Sequence, residues 1–245
     1  MLLSIFGNGV MANAMVSGLL RHGFKIEVFG RDEKKMQILK KNYPEIEVNT
    51  YKNGVDISGK NLILCVKPYA LESVAKHVKG QAAVLFSVLA GTSLEKLKQN
   101  IDAENYVRAM PNIAAMFGKS MTTLTGDEEA KEAGLKIFGA IGKTLWVGSE
   151  KELDTATVLA GSAPAFLALV AESLIDGGVK EGLKRDDAAF LARGLFEGFA
   201  ELLANYQHPS LIKDAVMSPG GVTAKGYAAL EDYKVRSAFM KVYKE

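Results

Sequence analysis

The sequence predicts an α/β domain over residues 1–149 followed by an all-α domain over residues 150–245. Three observations predict it. Strand-like and helix-like segments alternate as far as Gly148, and no convincing strand follows residue 150. A glycine turn, Gly7-Asn8-Gly9-Val10-Met11-Ala12, separates the first apolar strand from the first helix. Residues 158–175 are apolar on nearly every face, the pattern of a helix that must be covered all round.

Residues 2–6, LLSIF, read as a short buried strand, and Met11, Ala14, Met15, Gly18 and Leu19 then recur at helical spacing. Strand, tight glycine turn and helix start make the first unit of a Rossmann-type dinucleotide-binding fold. Gly7 permits the turn, and Gly9 lets a pyrophosphate approach the backbone. Ala12, in the place of the third glycine, keeps the helix close to the sheet. Unpaired N–H groups and a partial positive charge at the helix start then face the phosphates. An ordinary structural turn is the bland alternative. A secretory signal is another, since Ala12-Asn13-Ala14 imitates a cleavage site. No basic region precedes the apolar stretch, however, and Asn8 and the glycines interrupt it, which rejects the signal.

Residues 25–29, KIEVF, are the expected second strand, ending in Gly30-Arg31-Asp32. In such a fold this point meets the adenosine ribose. An acid there accepts from the 2′-hydroxyl of NAD, whereas an arginine pairs with the 2′-phosphate of NADP. Both types are present, and spacing alone leaves the choice open. Arg31, standing first after Gly30, favours NADP over a merely solvated pair. Residues 33–41 pattern as a helix and 50–59 as a polar loop. Residues 62–66, LILCV, read as a buried strand that Lys67-Pro68 stops at the carboxyl edge of the sheet, where ligands bind. Residues 83–88 form the next strand, with Ala90-Gly91 at its carboxyl end. Thr92-Ser93-Leu94-Glu95 is a capping-box pattern opening a helix. Residues 106–110 lead into Pro111-Asn112. Residues 118–125 and 143–147 are two more strands, and Ala130, Ala133, Ile137, Phe138 and Ile141 stripe a helix between them.

In the second domain Gly177-Gly178 is expected to break the apolar helix, and Asp186 or Asp187 to cap a long one. Its stripe runs through Ala188, Leu191, Ala192, Leu195, Phe196, Phe199, Leu202 and Leu203. His208-Pro209 starts a short helix, Ser218-Pro219-Gly220-Gly221 ends it in a turn, and 223–243 is helical again. So small a helical domain cannot cover an all-round apolar helix, and another subunit is expected to supply the cover.

Composition narrows the partners. The 30 basic and 28 acidic residues are well mixed and leave a formal charge of +2, without the patch or tail that nucleic acid or membrane partners would use. A single cysteine, Cys65, excludes an intramolecular disulfide and reads as a small buried side chain. The histidines (His22, His77, His208) are too scattered for a metal motif, and no metal is expected. The apolar stretch near 158–171 contains Gly161, Ser162 and Pro164 and reads as too short to span a bilayer. A soluble cytoplasmic protein is expected.

Taken together the motifs resemble one family closely, pyrroline-5-carboxylate reductase, along almost the whole chain. The carriers are Gly7-Asn8-Gly9-Val10-Met11-Ala12, Val66-Lys67-Pro68, Val107-Arg108-Ala109-Met110-Pro111-Asn112 and Gly161-Ser162-Ala163-Pro164-Ala165. Most specific is the run from His208-Pro209 through Lys213-Asp214 to Ser218-Pro219-Gly220-Gly221-Val222-Thr223. The resemblance implies reduction of the cyclic imine to L-proline by NADPH, or alternatively NADH. It places the cofactor phosphates on Gly7, Asn8, Gly9, Val10 and Met11, and the ribose end near Arg31 and Asn53. Val66, Lys67, Pro68, Ala90 and Gly91 line the nicotinamide side. Ser218 and the backbone of Gly220, Gly221 and Val222 hold the substrate carboxylate, with Pro111 and Asn112 also on the substrate. Thr223 supplies a hydroxyl near the ring nitrogen as the catalytic residue. A homodimer through the helical domain is implied, often assembled further, with the active site at the subunit junction.

The chain departs from the family pattern in three places. Pro111-Asn112-Ile113-Ala114 stands where members commonly have Pro-Asn-Thr-Pro, and Gly161-Ser162-Ala163-Pro164 where they have Gly-Ser-Gly-Pro. Gly220-Gly221-Val222-Thr223 replaces Gly-Gly-Thr-Thr, keeping the distal threonine. The chain is also somewhat short. The chemistry suits the residue types: hydride comes from the cofactor, so the protein positions and neutralises. The rival enzyme reading is a β-hydroxyacid dehydrogenase, which resembles the N-terminal part but needs a lysine and an asparagine on the first long helix of its second domain. Neither occurs between Gly161 and Gly178. A non-catalytic NADP-binding regulator is the alternative from another class, and it would leave the substrate loop without a purpose.

Overall fold

Short, mostly apolar runs, many of them joined through helices, pair side by side to form the sheet of the first half. The computed structural model describes residues 1–206 and 208–243. It begins with β1 (Leu2–Phe6), α1 (Val10–Leu20), β2 (Lys25–Gly30), α2 (Glu33–Asn42) and β3 (Glu47–Thr50). After β4 (Val55–Asp56) and β5 (Asn61–Leu64) come α3 (Leu71–Ala75), β6 (Val78–Lys79), β7 (Ala82–Ser87) and α4 (Leu94–Asn100). Then follow β8 (Ala103–Met110), β9 (Ser120–Gly126), α5 (Lys131–Gly139) and β10 (Gly142–Trp146). The rest is helical: α6 (Glu150–Thr157), a π turn (Val158–Ser162), α7 (Ala163–Lys180), α8 (Arg185–Asn205), α9 (Pro209–Val216), α10 (Val222–Asp232) and α11 (Val235–Lys241).

The main sheet has the order β10-β9-β8-β7-β5-β1-β2-β3. β8 and β9 run antiparallel; every other neighbouring pair is parallel. A parallel sheet is covered on both faces, so its strands are apolar on both. Leu3 and Ile5 of β1 pack with Met15 and Leu19 of α1 and with Phe86 and Phe138 on one face. Phe6, Leu62, Leu64, Leu85 and Leu97 fill the other. An α/β fold of dinucleotide-binding type followed by a helical part is what the sequence predicts and what the chain adopts.

Two compact units result, Met1–Ala163 and Pro164–Glu245. The first runs past the boundary expected after residue 149, because α6 packs on β8 and β9 and receives the buried Arg108 guanidinium. In the first unit β3, β4 and β6 were not expected. β3 exposes alternate residues and carries one aliphatic side chain, so its apolar signal is weak. The capping box opens one residue late: Thr92 is buried, and Ser93 caps α4 by accepting from Lys96 N at 3.2 Å.

In the second unit only Ala188, Ala192 and Ile212 are fully buried among the described residues. Leu167, Leu169 and Leu174 of α7 and Leu191, Leu195 and Leu203 of α8 are all exposed. Gly177-Gly178 does not break α7. A Cβ on Gly178 would stand 3.2 Å from Leu183 Cδ1 and 3.5 Å from Ala188 Cβ, so glycine serves packing there. The break falls at Gly182, with φ +104, where Gly182 N donates to Val179 O and Leu183 N to Gly178 O, the bonding of a left-handed helix stop. Asp186 and Asp187 lie in the first turn of α8 and do not cap it; their charge favours the positive helix end instead. The final helix is also interrupted, at Lys234 with φ 57. Glu150–Lys180 forms one helical run of 31 residues, long and apolar enough by length and composition to cross a membrane, so Gly161 and Pro164 do not shorten it as expected.

Candidate active site

β1 lies between β2 and β5, where the chain switches from one side of the sheet to the other, and ligands of such folds enter at the carboxyl ends of the strands there. Gly7 has φ +127, and a Cβ on it would stand 2.4 Å from the Cys65 carbonyl oxygen. Only glycine can turn the chain out of β1 at that point. Gly9 is the N-cap of α1, and nothing beyond its chain neighbours lies within 4 Å of where its Cβ would be. α1 has no side-chain cap and no acid in its first turn, so its leading N–H groups stay open to an outside acceptor. The amide nitrogen of Asn8 is buried without a partner. An open glycine, unpaired donors and the positive end of a helix suit a pyrophosphate. The residues fit a dinucleotide.

The ribose end distinguishes the two candidates after β2. Asp32 caps α2, accepting from Lys35 N at 3.1 Å. Arg31 is exposed and makes no ion pair among the described residues. The acid is committed to the helix, and the guanidinium is free to meet a phosphate. Asn53 sits in the exposed turn after β3, whose Thr50 pairs with Gly30 of β2.

Val66, Lys67 and Pro68 follow β5, with Pro68 opening the short 3-10 turn Pro68–Ala70. Ala90 and Gly91 follow β7 and are exposed; Gly91 has φ +65 and open space around it. Pro111 and Asn112 follow β8 and are buried. Because β1, β2, β3, β5, β7 and β8 are parallel, all these segments come to one edge of the sheet. Asn112 is already engaged there: Nδ2 donates to Ala160 O at 2.8 Å, and Oδ1 accepts from Ala114 N at 3.0 Å. Cys65, beneath Gly7, lies 3.6 Å from Met15 Sδ, and burial pushes its thiol up to about 12, so it is no nucleophile at neutral pH.

Arg108 escaped sequence reasoning as a functional group. It is 2% exposed, and its guanidinium donates to Glu150 Oε1 and Asp154 Oδ1, each at 2.8 Å. Glu150 Oε1 also accepts from Leu94 N at 2.9 Å. The partners lie 42 and 46 residues away along the chain. A lone charge in the apolar run Val107-Arg108-Ala109-Met110 was the available signal.

In the second unit the turn 218–221 leads into α10. Gly220 has φ +71, and Gly221 N donates to Ser218 O at 3.0 Å. A Cβ on Gly221 would meet Ser218 Oγ at 2.4 Å and Ser218 O at 3.1 Å. α10 has no side-chain cap, and Val222 and Thr223, both exposed, occupy its first turn. The Gly221 N–H is used within the turn, so the open backbone donors are those of Val222, Thr223 and Ala224, ahead of the first helical bond from Lys225 N to Gly221 O. Backbone donors at a helix start, beside the Ser218 and Thr223 hydroxyls, suit a carboxylate.

Comparison with known proteins covers both turns. Residues 150–245 match the family described as pyrroline-5-carboxylate reductase dimerisation, and residues 3–91 match NADP oxidoreductase coenzyme F420-dependent. Pyrroline-5-carboxylate reductase of Helicobacter pylori is 36% identical over 251 residues, covering 100% of this chain and 96% of its own. The solved 1-pyrroline-5-carboxylate reductase of Streptococcus pyogenes has a TM-score of 0.86 at 27% identity, covering 100% of this chain and 95% of its own. Pyrroline carboxylate reductase of Plasmodium falciparum, solved with NADP bound, has a TM-score of 0.84 at 25% identity, covering 100% and 96%. The likeness runs end to end in sequence and in fold, and takes in the glycine turn of each unit: the chain belongs to the pyrroline-5-carboxylate reductase family.

Proposed function

We propose that this chain reduces 1-pyrroline-5-carboxylate to L-proline, as a cytoplasmic homodimer that uses NADPH, with NADH as the alternative donor. The turn at residues 218–223 carries the reading. A glycine turn at the start of a sheet is common to many oxidoreductases; a second uncapped one, aimed at a carboxylate, narrows the substrate. Family membership supports the same reaction.

The first unit holds the cofactor. Residues 7–11 bind its phosphates through the start of α1, and Arg31 pairs with the 2′-phosphate, with Asn53 beside the ribose. Val66, Lys67, Pro68, Ala90 and Gly91 line the nicotinamide side. When bound, the cofactor supplies the hydride that the imine carbon accepts. In the second unit Ser218 and the first N–H groups of α10, which the Gly220-Gly221 turn leaves open, hold the substrate carboxylate. Thr223 presents its hydroxyl to the ring nitrogen, orients the imine and relays a proton from water. The exposed apolar sides of α7 and α8 pack against a second copy. Cys65, unpaired and buried, suits a reducing compartment.

The test is to mix purified protein with pyrroline-5-carboxylate and NADPH and follow the nicotinamide absorbance. NADPH is consumed only when the imine is present, and L-proline accumulates. Turnover of a hydroxyacid but not of the imine would overturn the assignment.

A further inference from the structure

We propose that Asn112 is a positioning residue that gives the Ala160 carbonyl the donor Pro164 cannot give. In an α-helix the carbonyl of residue 160 accepts from the N–H of residue 164. Residue 164 is proline, which has no N–H and whose ring crowds the carbonyl four residues earlier. The helical run answers with the π turn Val158–Ser162. The Ala160 oxygen, which has no N–H to accept from at residue 164, accepts from Asn112 Nδ2 at 2.8 Å.

Asn112 is built to hold that bond. Its Oδ1 accepts from Ala114 N at 3.0 Å, which fixes the amide with nitrogen towards Ala160. Its backbone N–H donates to Ser120 Oγ at 3.0 Å, and Ser120 Oγ is 3.2 Å from Thr122 Oγ1. The residue is 9% exposed, and each end of its side chain holds one hydrogen bond. Asn112 thus joins the end of β8 to the π turn. It fixes the helical backbone beside the strand edge that Pro111 reaches. The inference goes beyond the reductase reading, since it rests on the chain's own hydrogen bonds.

A double-mutant cycle tests it. Asn112→Asp keeps the size and the acceptor but, ionised at pH 8, loses the donor; Pro164→Ala gives Ala160 a backbone donor of its own. With Pro164 present, Asn112→Asp lowers Tm by about 2–4 °C, the effect of losing one hydrogen bond to a part-buried carbonyl in a chain of this size. In the Pro164→Ala background the drop is less than half of that. The kcat/KM for pyrroline-5-carboxylate falls about tenfold in the single variant, and Pro164→Ala restores several-fold of it. Equal losses in the two backgrounds, in either measurement, overturn the proposal; an equal kinetic loss is what a substrate ligand gives. If Asn112→Asp does not fold beside Pro164, recovery of folded protein by Pro164→Ala supports the proposal, and failure in both backgrounds overturns it. If the imine is not turned over at all, the melting cycle decides alone, so this inference and the reductase reading fail separately.

Discussion

Both units place a glycine turn before an uncapped helix, yet only the first closes a core around it. In Met1–Ala163 the helix behind the turn buries Ala12, Ala14, Met15, Val16 and Leu19 against the sheet. In Pro164–Glu245 none of the side chains of α10 is fully buried. The same local device therefore stands on two kinds of support. The first unit fixes its turn with its own core. The second leaves the stability of its turn to whatever covers α7 and α8, which the dimerisation match assigns to a second copy of the chain.

The most severe way to break this contrast is to charge the apolar side of α8. Under the proposed packing of α7 and α8 on a second copy, Leu195→Asp puts a carboxylate in the contact, and twofold symmetry doubles the cost. An unpaired buried charge costs about 3–5 kcal/mol, so the dimer should be lost and activity with it. Ile38→Asp is the counterpart in the first unit, on an equally exposed side chain of α2, and should change neither assembly nor rate. Light scattering of the two variants decides. An active dimer carrying Leu195→Asp would show that α8 is not covered. The interface itself should exceed roughly 2,000 Å², as in obligate dimers.

A smaller effect separates the two glycines of the first turn. Gly7→Ala forces a Cβ to 2.4 Å from the Cys65 carbonyl at φ +127. Overpacking and backbone strain together cost about 3 kcal/mol or more, and Tm should fall by roughly 6 °C or more. Gly9→Ala meets open space, so Tm should stay near wild type while NADPH binding weakens, because the methyl occupies the phosphate's approach. Calorimetry and cofactor titration of the pair test this. Equal Tm losses would mean that Gly9 serves the fold and not the ligand.

Legibility in the sequence follows the same divide. Where a segment's fate depends on its own pattern, reading it is enough: β1, α1 and the turn between them have their expected places, because apolar period and glycine spacing are local. Segments decided by distant partners escape. Arg108 reads as a lone charge until Glu150 and Asp154 are folded onto it. The bond from Asn112 to Ala160 spans 48 residues of chain and leaves no local pattern. Gly177-Gly178 looks like a helix stop, since sequence does not show that Leu183 and Ala188 press on Gly178. The apolar faces of α7 and α8 are legible as needing cover, but among the described residues of the same unit nothing buries Leu167, Leu169, Leu191 or Leu195.

Cofactor choice sharpens the contrast at the edge of the first unit. Asp32 is committed to capping α2 and Arg31 is free, so Arg31→Ala should weaken NADPH by about 1.5–3 kcal/mol, the range for a charged hydrogen bond. NADH should change little. Dissociation constants for both cofactors test this, and equal losses would show that Arg31 does not read the 2′-phosphate.

The smallest effect probes the second turn. Thr223 lies in the first turn of α10, exposed, with no hydrogen-bond partner for its hydroxyl among the described residues. Its removal should therefore cost the fold almost nothing, unlike Gly7→Ala. If the hydroxyl meets the imine nitrogen, Thr223→Ala should cost about 1–3 kcal/mol in the reaction, the range for a bond whose partner is left unpaired. That is roughly a ten- to hundredfold fall in kcat/KM. NADPH affinity without substrate should stay near wild type, because the cofactor turn belongs to the other unit. Thr223→Ser restores the hydroxyl without the methyl and should recover much of the rate. Thr223→Val keeps the shape without the hydroxyl and should not. A wild-type kcat/KM for Thr223→Ala would pass the role to Ser218 or to water, and the second turn would then hold only the carboxylate.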